Sequence, residues 1–167
     1  VEGEGTVTAS PEGPYYYGDV VTLTATPEVG WKFANWLGDV DANNQVTITS
    51  DTEVTAVFER IEYSLVLNVE GEGTVTASPE GPYYYGDVVT LTATPEVGWE
   101  FSRWLGDVDA NNQVTITGDT EVTAVFERVE YTLVLNVEGE GTVTADKEGP
   151  YYYGDVVTLT ATPEVGW

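Results

Sequence analysis

The sequence predicts an all-β fold, a tandem array of small antiparallel β-sandwich or barrel-like domains of about 68 residues each. Three observations predict it. Val-Glu-Gly-Glu-Gly-Thr-Val-Thr-Ala begins at Val1, Val69 and Val137, a period of 68 residues, so the folding unit is one repeat rather than the chain. Within each repeat, short runs rich in threonine and valine alternate apolar and polar positions, as half-buried strands do. Glycine, proline and aspartate punctuate these runs at short intervals, and no stretch carries helical periodicity.

The repeats are read as 1–60, lacking its first strand, 61–128, complete, and 129–167, holding N-terminal strands only. Residues 1–68 and 69–136 differ at six positions: Lys32/Glu100, Ala34/Ser102, Asn35/Arg103, Ser50/Gly118, Ile61/Val129 and Ser64/Thr132. The third copy departs from the second at Asp146 and Lys147. Joining the chain's ends between molecules would leave 31 residues of duplicated sequence over. That favours a window cut from a longer array over simple end-to-end strand complementation.

In the middle repeat, Tyr63, Leu65, Leu67 and Val69 share one face of a first strand. Gly71-Glu72-Gly73 suits a tight hairpin, with Thr74–Ala77 as the return strand. Ser78-Pro79-Glu80-Gly81-Pro82 must be a loop, because proline cannot continue a ladder. Val88–Thr94 is the clearest strand, with Val89, Leu91 and Ala93 on one side and threonines on the other. The aromatic stretch Trp99–Leu105 follows, read with Phe126 as a core plug. Gln113–Thr117 and Glu121–Phe126 are two further strands, with Gly118-Asp119-Thr120 suited to a type II′ hairpin. A domain this small buries only about 60% of its unfolded surface, which accounts for the aromatic density without invoking function.

Composition removes several functions. Five basic residues face 29 acidic ones, a net charge of −24, so no basic patch exists to neutralise nucleic-acid phosphates or an anionic membrane. No apolar run is long enough to insert in a membrane. Histidine, cysteine and methionine are absent, which excludes a Ser-His-Asp machine, a disulfide framework and a thiolate zinc site. No phosphate-binding glycine motif is present, and the carboxylates sit in turns and at strand ends. The expectation is a chain with no catalytic residues and no resident cofactor, calcium excepted.

Two constellations remain. Asp39, Asp41 and Asn43, repeated as Asp107, Asp109 and Asn111, place oxygens at alternate loop positions, as a calcium loop does. The central glycine and downstream glutamate of an EF-hand are missing, and Asp and Asn are ordinary turn formers, so the turn reading is preferred. The triplets Tyr15-Tyr16-Tyr17, Tyr83-Tyr84-Tyr85 and Tyr151-Tyr152-Tyr153 cannot all point inward, because strand side chains alternate. Their outward rings either pack on an adjacent repeat or another copy, the preferred reading, or stack on glycans.

Gly-Xaa-Gly-Thr-Val-Thr, Tyr-Gly-Asp-Val-Val-Thr-Leu-Thr-Ala-Thr-Pro, Gly-Trp-Xaa-Phe-Xaa-Xaa-Trp and Thr-Xaa-Val-Thr-Ala-Val-Phe together resemble the divergent internalin-B-type B-repeat. The resemblance covers Tyr63 to Phe126 of the complete repeat. It implies an extracellular or cell-surface module of a stalk, adhesin or filament, with no catalytic residues to carry over. The expected function is therefore structural and non-enzymatic, with partners that are adjacent repeats or further copies of the chain. The alternative is an adhesive or carbohydrate-binding module using the tyrosines.

Overall fold

The structure, a computed structural model, describes residues 1–166; Trp167, read from sequence as the start of an unfinished plug, lies outside them. Among the described residues there is no helix, and so none long and apolar enough to cross a membrane. Repeat 1 contributes β1 (Gly5–Ser10), β2 (Val20–Pro27), β3 (Trp31–Leu37), β4 (Gln45–Thr47) and β5 (Thr55–Arg60). Next come β6 (Glu62–Tyr63), β7 (Leu65–Glu70), β8 (Gly73–Ser78), β9 (Tyr83–Tyr84), β10 (Val88–Pro95), β11 (Trp99–Leu105), β12 (Gln113–Thr115) and β13 (Thr120–Arg128). The third repeat adds β14 (Gly141–Ala145) and β15 (Leu159–Pro163).

The complete repeat forms two three-stranded sheets, in the orders β12-β10-β8 and β11-β13-β7. β8 pairs antiparallel with β10, and β11 with β13 across a bulge between Phe101 and Arg103. Repeat 1 shows the same plan, with β1-β2-β4 as one sheet and β3-β5 as the other. Its two sheets face each other: Val21, Leu23 and Val46 are buried against Ala9 and Ile48, and against Trp36 from β3. In a two-sheet domain each strand buries alternate residues, which explains the threonine-valine alternation.

Both expected hairpins are corrected. β7 and β8 flank Gly71-Glu72-Gly73 yet lie in different sheets. The glycines are there for close approach: a Cβ on Gly73 would fall 2.5 Å from the Phe126 ring, and Gly71, at φ +84°, meets the Phe126 carbonyl and the Trp99 ring. The segment is a corner that carries the chain over Phe126 from one sheet to the other. Gly118 likewise separates β12 from β13, which belong to opposite sheets, and has no positive φ and open space around it. Ser50 therefore fits its place in repeat 1 without strain.

The aromatic plug is also narrower than expected. Phe126 is 3% exposed and Phe58 likewise 3%, whereas Trp99, Phe101 and Trp104 are only half-buried. Phe101 meets Phe126 edge-on at 5.9 Å and Trp104 at 4.9 Å. The outer face of this sheet tolerates sequence change: Lys32 pairs with Glu59 at 3.6 Å, and where repeat 2 has Glu100 instead, Arg103 takes over Glu127 at 3.2 Å. Exposed pairs of this kind contribute about 0–1 kcal/mol.

The chain divides into two compact units, Val1–Leu65 with Glu80–Val89 and Thr115–Thr120, and Val66–Pro79 with Thr90–Val114 and Glu121–Trp167. The first contains repeat 1 and the second-repeat segment that docks on it, tyrosines included.

Candidate functional site at the repeat junctions

Arg60 ends β5, and Ile61 begins the next repeat. The Arg60 guanidinium carbon lies 5.6 Å from the Trp31 ring centre and 5.4 Å from that of Tyr84. One cation thus bridges an indole of its own repeat and a phenol of the next, each contact contributing about 0.5–1 kcal/mol at an exposed site. The backbone closes beside it, with the Ile61 N–H donating to the Gly30 carbonyl at 2.8 Å. Glu62 and Tyr63 pair antiparallel with Tyr84 and Tyr83. Tyr85 rests directly on Gly30, where φ is +81° and an added Cβ would sit 2.5 Å from the Cβ of Tyr85.

The arrangement recurs in the second unit. Arg128 lies 5.5 Å from Trp99 and 5.6 Å from Tyr152, and the Val129 N–H donates to the Gly98 carbonyl at 2.9 Å. Tyr153 rests on Gly98 as Tyr85 does on Gly30.

Each tyrosine of a triplet has its own task. The first folds back on its loop: the Tyr15 hydroxyl donates to the Pro11 carbonyl at 3.1 Å and the Tyr151 hydroxyl to the Lys147 carbonyl at 2.8 Å. The second meets the arginine and a glutamate, as Tyr152 does with Glu130 at 3.2 Å. Burial, with the Glu130 charge beside it, pushes the Tyr152 phenol above its ordinary value. The third covers the glycine. Tyr16 is 71% and Tyr17 85% exposed, against 46% for Tyr85 and 66% for Tyr153. Asp155 fixes the turn after the third triplet; the Tyr152 N–H it accepts at 2.9 Å, with Lys147 nearby, holds its carboxyl below the usual range.

The Asp-Asn loops do a different job. Asp41 Oδ1 accepts the Asn43 and Gln45 N–H groups, both at 2.8 Å, and Asp109 does the same for Asn111 and Gln113. Trp36 and Trp104 each donate their indole N–H at 2.9 Å to Asn44 and Asn112, which adopt left-handed φ near +58°. Asp39 and Asp107 are exposed. Among the described residues no group of three or more His, Cys, Asp or Glu side chains is gathered to hold a metal ion. The geometry makes these loops turns that tie down the tryptophan edges.

Sequence reasoning missed the arginine clamp. A signal was present: of five cations, two are arginines separated by one repeat period and placed directly before the junction. It also missed Asp119, whose Oδ1 accepts the Ser64 N–H at 2.9 Å and the Ser64 hydroxyl at 3.0 Å, locking the start of the first strand. Those two bonds hold its carboxyl below the usual aspartate range. The folded value being the lower one, the contact contributes stability above the unfolded-state value and loses it as pH falls through the folded one, in the acid range. Acid titration of the unfolding midpoint is expected to show a drop there that Asp119→Asn reduces; an unchanged profile would remove this role.

The divergent InlB B-repeat family model matches residues 1–62, 63–130 and 131–167, so that the three matches tile the chain. The chain belongs to this family. A search of curated proteins and one of solved structures returned no match. As a tandem B-repeat array it falls in a family that is typically surface-associated, and the matched boundaries place Arg60 and Arg128 in the last residues of their B-repeats.

Proposed function

We propose that this chain is a non-enzymatic structural module of an extracellular, surface-attached protein, in which docked B-repeats act as a spacer. The observation that carries the reading is the junction, built twice from the same parts: an arginine between two aromatic rings, a backbone hydrogen bond to glycine, and a tyrosine seated on that glycine. A flexible linker would need none of these. A tether that holds neighbouring domains in one geometry needs all of them, because a spacer transmits position only if its joints are stiff.

Hydrogen exchange at the Ile61 and Val129 amides tests the stiffness of the joints. Both should be protected, and Arg60→Gln with Arg128→Gln should speed their exchange by roughly five- to thirtyfold, the effect of losing two cation–π contacts per junction. Exchange at the rate of an unstructured linker in the unaltered chain would sink the spacer reading.

A second reading has one observation in its favour. Tyr85 and Tyr153 remain 46% and 66% exposed although each is seated on a glycine, leaving ring surface on which sugars can stack. Glycan-array binding that disappears in Tyr85→Ala/Tyr153→Ala would favour an adhesive role over a purely mechanical one.

A further inference from the structure

The two junction arginines lack the partner that each other basic side chain has. Lys32 pairs with Glu59 at 3.6 Å, Arg103 with Glu127 at 3.2 Å and Lys147 with Asp155 at 3.6 Å. Among the described residues Arg60 and Arg128 make no ion pair and donate no side-chain hydrogen bond, in a chain with 29 acids. The acids beside them in sequence are engaged elsewhere. Glu59 and Glu127 hold Lys32 and Arg103, while Glu62 and Glu130 accept the hydroxyls of Tyr84 at 3.4 Å and Tyr152 at 3.2 Å. Arg128 belongs to the complete repeat, whose first strand is in its sheet, so the free guanidinium does not depend on where the chain begins.

At the first junction the guanidinium lines a cleft of about 240 Å³. Trp31 and Tyr84 hold it at 5.6 and 5.4 Å, so the entropy of fixing a long side chain is lost on folding rather than on binding. Tyr85 turns a 46% exposed ring to the same cleft. Asp87, half-buried in its lining, accepts the Tyr84 N–H at 2.9 Å through Oδ2, and its Oδ1 accepts nothing from the described residues. The second junction has a smaller cleft of about 110 Å³, and its Asp155 is paired with Lys147. The full set of open groups is therefore at the first.

We propose that the cleft at Arg60 binds a uronic acid residue of a glycan. The carboxylate takes the N–H fork of Arg60, whose planar geometry matches it. Ring hydroxyls donate to Asp87 Oδ1, and the C–H face of the sugar lies on Tyr85. Charge sets the ligand class. At −24 the chain repels densely charged polymers, so one guanidinium holds a group with a single negative charge. The open aspartate oxygen in the same cleft requires that this ligand also carry donors. A carboxylate and hydroxyls on one ring meet both demands. The inference rests on the adhesive reading and names its ligand.

Titration of the whole chain with sodium glucuronate, glucose and sodium acetate tests this, followed by NMR of the Trp31 indole N–H. Glucuronate should bind roughly tenfold tighter than glucose or acetate, the effect of one charge-assisted contact. Arg60→Lys keeps the charge but not the fork, and should weaken glucuronate binding roughly tenfold while the Ile61 amide stays protected from exchange. Asp87→Asn keeps an acceptor for the Tyr84 N–H and should weaken glucuronate but not acetate. Glucose bound as tightly as glucuronate overturns the uronate assignment and leaves the adhesive reading standing; no response to either sugar overturns both. Acetate that matches glucuronate overturns the proposal, as does undiminished binding by Arg60→Lys. Should Arg60→Lys free Ile61, Asp87→Asn decides alone, and full glucuronate affinity in that variant overturns the site.

Discussion

Replacing Phe126 with alanine is expected to destabilise the complete repeat by about 3–5 kcal/mol, the usual cost of truncating a buried phenylalanine. Three elements converge on this ring. β11 brings Phe101 edge-on at 5.9 Å, β13 carries the ring itself at 3% exposure, and the Gly71–Gly73 corner passes directly over it. On the corner side, Gly71 and Gly73 have no side chain to move into the space it would leave. With domain stabilities of about 5–15 kcal/mol, and the low end for one this small, such a loss leaves little margin. Denaturant unfolding followed by tryptophan fluorescence would show it as an earlier transition for repeat 2, while repeat 1, which keeps Phe58, holds its own midpoint. Gly73→Ala refines the test. Its Cβ would press on the Phe126 ring at 2.5 Å, so crowding should cost about 1–3 kcal/mol. A true hairpin glycine would show no such coupling to Phe126, and a neutral Gly73→Ala would restore the hairpin reading.

That glycine shows where sequence reading stops. The repeat period, the all-β class and most strands are visible in the residues: Val88–Thr94 was expected and β10 spans Val88–Pro95, and the aromatic stretch Trp99–Leu105 is β11. Pairing is another matter. Two alternating runs joined by Gly-Glu-Gly satisfy a hairpin and a corner between sheets equally well, because alternation says which face is buried and not which strand lies alongside. Only the ring under the glycines separates the two, and Phe126 is 53 residues away from Gly73. The tyrosines repeat the lesson. Strand geometry shows that three consecutive rings cannot all enter one core, but the partner of Tyr84 is Arg60, which belongs to the previous repeat.

Gly98→Val is the change expected to open a junction most completely. Gly98 adopts φ +82°, which a β-branched residue reaches only with strain of about 1–3 kcal/mol, and its missing Cβ is where Tyr153 sits. Both penalties fall on one contact, and Tyr153 cannot yield easily because the atom it places there is its own Cβ, fixed to the backbone. The Val129 N–H, which donates to the Gly98 carbonyl at 2.9 Å, should then lose its protection from exchange, and Arg128 should lose Tyr152 while keeping Trp99. A control separates strain from docking. Gly86 has nearly the same backbone, φ +89°, but nothing within 4 Å of an added Cβ, so Gly86→Val carries the conformational cost alone. If the two variants lower the melting midpoint equally and leave Val129 exchange alike, the tyrosine is not seated on the glycine in solution. If Gly98→Val alone frees Val129, the seat is what holds one B-repeat to the next, and a joint that depends on a bare glycine under a tyrosine will fail at that residue before either domain unfolds.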